Sequence, residues 1–259
     1  MNFTRTSNPI FGKNLYQRAS SVAYAGDEQM TLNGTINKTA LVILLVFASA
    51  YYVWQKFFGV YDPANPGAGV GNITLYLAVG GIGGFIIAMV ASFSPRRAGL
   101  LTPIYAVLEG MFLGGLSAIF EAQFPGLVIK AVALTFMVFL SMLLVYRQRI
   151  IKVTGKFRRG MLSAMMGLIF FYLASWIMGL FGANVSYLYG GGSFGLIFSL
   201  IVTGISAFSL LLDFDFIERG AMAGAPKYME WYSVFGLLVS LVWLYVNLLR
   251  LLSIVSRRN

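Results

Sequence analysis

Cysteine and histidine are both absent from the 259-residue sequence, and only 11% of its residues are charged. Without cysteine the chain can form no disulfide and no thiolate metal site, and without histidine it has no imidazole base or ligand. These absences exclude most familiar intramembrane enzymes, so we expect neither enzymatic activity nor a bound cofactor. A soluble domain would carry about a quarter charged residues. The low charge and the mean hydropathy of +0.78 indicate an integral membrane protein.

Apolar runs divide the chain into seven candidate membrane spans. Each has about the twenty residues that a helix needs to cross a bilayer. They cover residues 39–57, 73–93, 100–119, 127–145, 161–181, 194–212 and 231–255. The polar residues 1–38 are interpreted as a cytoplasmic tail and residues 39–259 as one transmembrane domain. The predicted fold class is an all-α integral membrane protein, a bundle of seven transmembrane helices.

Basic residues are distributed unevenly between the two ends of these spans. The chain has 19 Lys and Arg against 9 Asp and Glu, and most of the basic residues fall in the tail and after spans two, four and six. The positive-inside rule therefore places the N-terminus in the cytoplasm, and the excess charge does not indicate a nucleic-acid partner. The final Arg257 and Arg258 disagree with this orientation, so a re-entrant segment stays an alternative.

Three spans contain small residues four positions apart, a spacing that lets helix backbones approach closely in lipid. These pairs are Gly80 with Gly84, Gly110 with Gly114, and Gly236 with Ser240. We expect them to serve helix packing.

Glu109 is the clearest charge at membrane depth. It lies nine residues into span three, about 14 Å along the helix and therefore near the bilayer midplane. A carboxylate there costs about 2.5–3.5 kcal/mol unless it is neutralised or hydrated. Either Glu109 is a neutral packing residue, or it lines a path for protons or cations.

A second group of acids lies where spans six and seven meet the cytoplasmic face. Asp213 and Asp215 are about 200° apart on a helix, so they cannot share one face, and we expect Asp213 to point inward. Glu230 opens span seven, where the helix dipole alone would explain its charge. Oxygen ligands suit calcium, so Asp213 and Glu230 are candidate calcium contacts. Arg96 and Arg97 are candidate partners that would close this mouth by salt bridges.

Three segments together resemble the Bax-inhibitor-motif (TMBIM) family, in its bacterial branch. They are YAVLEGMFLG at 105–114, LLDFDFIERG at 211–220 and LYVNLLRLL at 244–252. The resemblance covers nearly everything after residue 39. It implies a bundle in which the last helix is central and six others wrap it, and it implies a pH-sensitive calcium leak across the membrane.

The resemblance also assigns roles to particular residues. It implies that Asp213 is the span-six aspartate of a pH-sensing pair and that Arg96 or Arg97 is the basic residue after span two. The partner aspartate of the family corresponds to Ser240, so the pair of aspartates is not reproduced here. Asp215 and Glu230 are candidate substitutes for it. Glu109 resembles an acidic position found in many relatives.

These observations favour a passive, pH-gated cation leak, calcium being the expected ion. In this hypothesis the pH sensor consists of Asp213, one of Asp215 and Glu230, and the two arginines Arg96 and Arg97. The ion path is lined by Glu109 and Ser240. The alternative is a non-conducting membrane protein of the stress response that binds another membrane protein, such as a membrane protease. We expect a multi-pass protein of the bacterial inner membrane that is more readily monomeric than oligomeric.

Overall fold

The computed structural model describes residues 28–181 and 192–258. Within these ranges it contains seven helices that are long and apolar enough to cross a membrane. They are α1 (Leu32–Phe58), α2 (Pro66–Phe93), α3 (Ala98–Gln123), α4 (Leu127–Arg147), α5 (Gly155–Leu180), α6 (Ser193–Met222) and α7 (Tyr228–Ser256). A 3₁₀ turn at Pro95–Arg97 precedes α3. The prediction of an all-α, seven-helix membrane protein is confirmed.

Several helices are longer than the apolar runs that predicted them. α1 begins at Leu32 rather than at residue 39, because the Thr31 side chain caps it by accepting a hydrogen bond from the Gly34 amide at 3.0 Å. α6 continues to Met222 rather than ending at 212. Hydropathy marks only the apolar part of a helix, whereas caps and polar turns extend it. The end of the expected tail is therefore helical, and residues 1–27 of that tail lie outside the described residues.

The turn between α3 and α4 is built by one acidic and one glycine residue. Gly126 has a φ of +79°, in the left-handed region that a side chain rarely adopts. The Glu121 carboxylate accepts hydrogen bonds from the amides of Gly126 and Val128, at 2.6 and 3.0 Å. A carboxylate at a helix N-terminus is stabilised by the helix dipole. Glu121 is thus committed to starting α4.

The last helix, α7, has the broadest set of neighbours. It packs against α1, α3, α4 and α6, and its start also contacts the 3₁₀ turn before α3. α2 packs mainly on α3, and α5 packs on α6. The central position of the last helix is therefore observed, although α2 and α5 lie at the periphery and do not wrap it closely.

Glycines set the closest helix contacts. A Cβ added to Gly114 in α3 would lie 2.6 Å from the Cα of Ala50 in α1, and one added to Gly80 in α2 would lie 2.6 Å from the carbonyl oxygen of Leu108 in α3. Only glycine fits such distances. In α7, by contrast, the nearest atom to a Cβ at Gly236 is 4.0 Å away. Close packing is confirmed for spans two and three but not for Gly236.

Candidate functional site

Polar side chains recur every seven residues on both α6 and α7. Seven residues are close to two helical turns, so each set keeps to one side of its helix. The set in α6 is Ser199, Ser206 and Asp213, and the set in α7 is Ser233, Ser240 and Asn247. Four of the six are buried, and Asp213 and Ser240 are half-buried. We call this polar contact the α6–α7 seam.

Asp213 is the one ionisable side chain of the α6–α7 seam. Its Oδ2 atom is enclosed and has no hydrogen-bond partner among the described residues. The Ser240 side chain faces the same carboxylate across the helix contact. The predicted register between Asp213 and Ser240 is therefore what the structure shows.

Gly236 leaves room beside this carboxylate. The Asp213 Oδ1 atom lies 4.0 Å from the position of a Cβ at Gly236, so no side chain at that position covers the carboxylate. Two more distant hydroxyls of the α6–α7 seam, those of Ser199 and Ser233, are also buried without a hydrogen-bond partner in the described part of the chain. Enclosed oxygen atoms that lack a donor are suited to binding a proton, water or a hard cation.

Asp215 faces away from the α6–α7 seam. It is buried, and its carboxylate forms salt bridges at 2.8 Å with Arg158 of α5 and with Arg219 one turn along α6. A carboxylate held by two guanidinium groups is committed to those partners. Asp215 therefore does not substitute for the missing aspartate beside Asp213.

The gate residues predicted after span two form no ion pair with the acids in the described ranges. Arg96 and Arg97 are exposed at the 3₁₀ turn, and no salt bridge in the described ranges involves them. Apart from Arg219 of α6, the arginines that pair with carboxylates in the described ranges lie between the end of α4 and the first turn of α5. Besides Arg158, Arg149 binds Glu218 at 2.6 Å. The expected closing of the mouth by Arg96 or Arg97 is not what the structure shows, because the short turn directs both side chains outward.

Glu230 is fully buried, and its partners lie on α1 and its N-cap rather than beside Asp213. Its carboxylate forms an ion pair with Lys38 and accepts hydrogen bonds from the amide and the hydroxyl of Thr31, at 2.8 and 3.0 Å. The Lys38 ammonium also lies 5.4 Å from the centre of the Trp231 ring. Asp213 and Glu230 are thus on different contacts, and the described residues contain no cluster of three or more acidic ligands for a metal ion. The two do not form a shared calcium site.

The segment just before α1 is hydrogen-bonded to the loop that precedes α7. The Met30 amide donates to the Ala225 carbonyl at 2.7 Å, and the Lys227 amide donates to the Glu28 carbonyl at 2.9 Å. The side chains of Glu28 and Lys227 form an exposed ion pair. This pairing lowers the pKa of Glu28 and raises the pKa of Lys227. We call these interactions the tail–loop contact.

Glu109 lies at the contact between α2 and α3. It is half-buried, its carboxylate is hydrogen-bonded to the Tyr105 hydroxyl, and a Cβ at Gly84 of α2 would lie 2.9 Å from its Oε2 atom. Asp213 instead faces α7. The two residues predicted to share one ion path are therefore brought to two separate helix contacts.

The other acids in the described ranges have clear partners. Four pair with basic side chains and two accept backbone amide hydrogen bonds, and these six are Glu28, Asp215, Glu218, Glu230, Asp62 and Glu121. Asp213 and Glu109 face only hydroxyl groups among the described contacts. These two are therefore the carboxylates whose charge is free to respond to protons or cations. Ser199, Ser206 and Ser233 of the α6–α7 seam were missed from the sequence, although their seven-residue spacing to Asp213 and Ser240 was a readable signal.

Comparison with known proteins gives a family assignment. No match was found among curated proteins or solved structures. A family model described as Bax inhibitor 1 like matches residues 8–257, which include all seven helices and the α6–α7 seam. This chain, a multi-pass membrane protein, therefore belongs to the Bax inhibitor 1-like family.

Proposed function

We propose that the protein is a passive, pH-sensitive leak for cations, with calcium as the principal ion, and that the ions pass along the α6–α7 seam. The observation that supports this most strongly is Asp213, a half-buried carboxylate within a candidate membrane span that no basic side chain in the described ranges neutralises. Such a charge is costly in a bilayer and is retained where it serves a path. Membership of the Bax inhibitor 1-like family agrees with this role.

Asp213 acts in this proposal as both the binding charge and the pH sensor. When ionised it attracts a cation, and neighbouring hydroxyls supply further oxygen ligands. When protonated it loses that charge and donates a hydrogen bond within the α6–α7 seam instead. Other charged groups on α6 and at the start of α7 are paired with one another or with residues from other segments: Asp215 binds Arg158 and Arg219, Glu218 binds Arg149, and Glu230 binds Lys38.

The test is calcium flux into proteoliposomes that contain a fluorescent indicator, measured between about pH 6 and pH 8. Asp213→Asn removes the ionisable group at nearly constant volume. We expect flux to fall about tenfold or more, since a unit charge at close range contributes more than about 1.4 kcal/mol at an effective dielectric constant near 20. The remaining flux should lose its dependence on pH.

Two further variants locate the path. Asp62→Asn makes the same chemical change in an exposed loop and is expected to leave flux unchanged. Glu109→Gln tests the other unpaired carboxylate at the contact between α2 and α3. Identical pH profiles for wild type and Asp213→Asn would contradict the proposal, and loss of flux in Glu109→Gln alone would place the path between α2 and α3.

The alternative function is a non-conducting protein that binds another membrane protein. One observation favours this alternative. The tail–loop contact fixes the point at which the tail joins the bundle, so the tail would be held in a defined place where a partner protein could bind it. Deleting residues 1–27 leaves that contact in place and removes only the part of the tail before it. Absence of flux from folded wild-type protein, together with loss of a co-purifying partner on this deletion, would favour the alternative.

A further inference from the structure

A crevice of about 270 Å³ lies between four helices on the side of the bundle. Residues from α1, α3, α4 and α7 line it, and none of them is charged. Representative lining residues are Val46, Ala50, Gly114, Val132, Thr135 and Val242. An apolar cavity of about 150 Å³ already accepts a molecule such as benzene. The crevice is therefore large enough for a longer apolar group.

The crevice opens sideways toward the membrane. α1 and α4 supply its two walls, yet the described residues show no extended packing between these helices. Phe47 of α1 and Phe136 of α4 stack across the gap with ring centres 6.1 Å apart, and both are exposed. Entry from the bilayer therefore passes beside this aromatic pair.

Three hydroxyl groups that line the crevice already have partners. The hydroxyls of Ser117 and Tyr245 are hydrogen-bonded to each other at 2.7 Å. The Thr135 hydroxyl donates to the Ala131 carbonyl at 2.7 Å. Apart from Tyr51 and Trp54 at the end of its α1 wall, the crevice therefore suits an apolar ligand, which leaves none of these hydroxyls unpaired.

The length of the crevice fits one leaflet. Its α1 wall runs from Ile43 to Trp54, about 16 Å at 1.5 Å per residue. Half of the hydrocarbon core of a bilayer is about 15 Å thick. Tyr51 and Trp54 lie at the end of this wall, and such residues favour the level of lipid headgroups. An acyl chain that runs along α1 would thus have its headgroup beside these two aromatic rings.

We propose that the crevice is a binding site for one acyl chain of a bilayer phospholipid, held between α1 and α4 and against α7. This inference is independent of the proposed leak, because the crevice and the α6–α7 seam are lined by different residues. Its occupant would fill the gap that α1 and α4 leave and would pack on Val242 of α7.

Native mass spectrometry of the protein in mild detergent tests the site. We expect wild type to retain one phospholipid per chain, and Val132→Phe, which fills the crevice, to retain it about tenfold less well. Val79→Phe is the matched control, because Val79 is exposed on α2. Equal retention by all three proteins would overturn the proposal, as would a retained mass that corresponds to a free fatty acid.

Photolabelling of the wild type keeps the test valid if Val132→Phe fails to fold. The probe is a phospholipid with a diazirine in its acyl chain, incorporated into proteoliposomes. We expect the label to concentrate on residues 43–54 of α1 and 128–136 of α4. Labelling spread evenly over the exposed faces of α2 and α5 would instead show ordinary contact with surrounding lipid and would contradict a defined site.

Discussion

Replacing Lys38 by methionine should destabilise the protein strongly. The variant keeps the length of the side chain but removes the cation that neutralises Glu230, whose side chain has no exposed surface. Glu230 would retain only its two hydrogen bonds from Thr31. Breaking one partner of a buried ion pair costs about 3–5 kcal/mol, because an uncompensated charge stays buried. With about 2–4 °C per kcal/mol for a chain of this size, Tm should fall by about 6–20 °C.

The assay is thermal unfolding in detergent, followed by circular dichroism at fixed pH and lipid content. The double variant Lys38→Met with Glu230→Gln should recover most of the loss, because neither charge remains and glutamine still accepts from Thr31. Lys227→Met is the matched control. It breaks an exposed ion pair with Glu28 at the same end of α7, so its effect should be far smaller.

Two results would refute this reasoning. One is a Lys38→Met protein that unfolds at the wild-type temperature, which would mean that Glu230 is neutral or hydrated. The other is a double variant whose loss equals the sum of the two single losses, because the two residues would then not interact.

Further predictions concern the glycine contacts and the tail. Gly114→Ala should lower the free energy of unfolding by about 1–3 kcal/mol, because the new Cβ would lie 2.6 Å from the Cα of Ala50. Gly236→Ala should leave Tm nearly unchanged. Equal losses in Tm for the two variants would contradict this difference in packing. The ion pair between Glu28 and Lys227 should stabilise the tail–loop contact at neutral pH. This stabilisation should be lost as the pH falls through the pKa of Glu28, which Lys227 holds below the ordinary glutamate value of about 4.3. The protection of amides in the tail–loop contact, measured as the exchange rate relative to the intrinsic rate at the same pH, should therefore fall in acid, and Lys227→Met should remove that fall.

The seven helices were predictable because an apolar run of about twenty residues, in a chain with few charged residues, is typical of a membrane-spanning helix. Their ends were not, since caps such as Thr31 depend on single side chains rather than on mean hydropathy. The length of α6 illustrates the consequence. The acids after residue 212 looked like a helix end in the sequence, yet they lie well inside a helix that continues to Met222.

Within the site, the resemblance to the Bax-inhibitor-motif family indicated that Ser240 stands at the position opposite Asp213, but the expectation that Asp215 or Glu230 would approach Asp213 was wrong, and the partners of the other acids were not predicted. Lys38 lies 192 positions from Glu230, and no local pattern indicates that α1 reaches the start of α7. Arg158 reaches Asp215 for the same reason, through tertiary packing of α5 on α6. Pairing between distant charges depends on helix rotation, which hydropathy does not determine.

The glycine contacts have a mechanical consequence. α1, α2 and α3 meet nearly backbone to backbone at Gly80 and Gly114, so these three helices form a stiff frame in which displacement would force main-chain atoms together. At Gly236, by contrast, an added Cβ would lie 4.0 Å from the nearest atom, so main-chain contact does not lock α6 to α7 at that position. If the proposed leak operates, we expect the α6–α7 seam to widen by movement of α6 and α7 against that frame. The tail–loop contact would act as the tether that limits its amplitude.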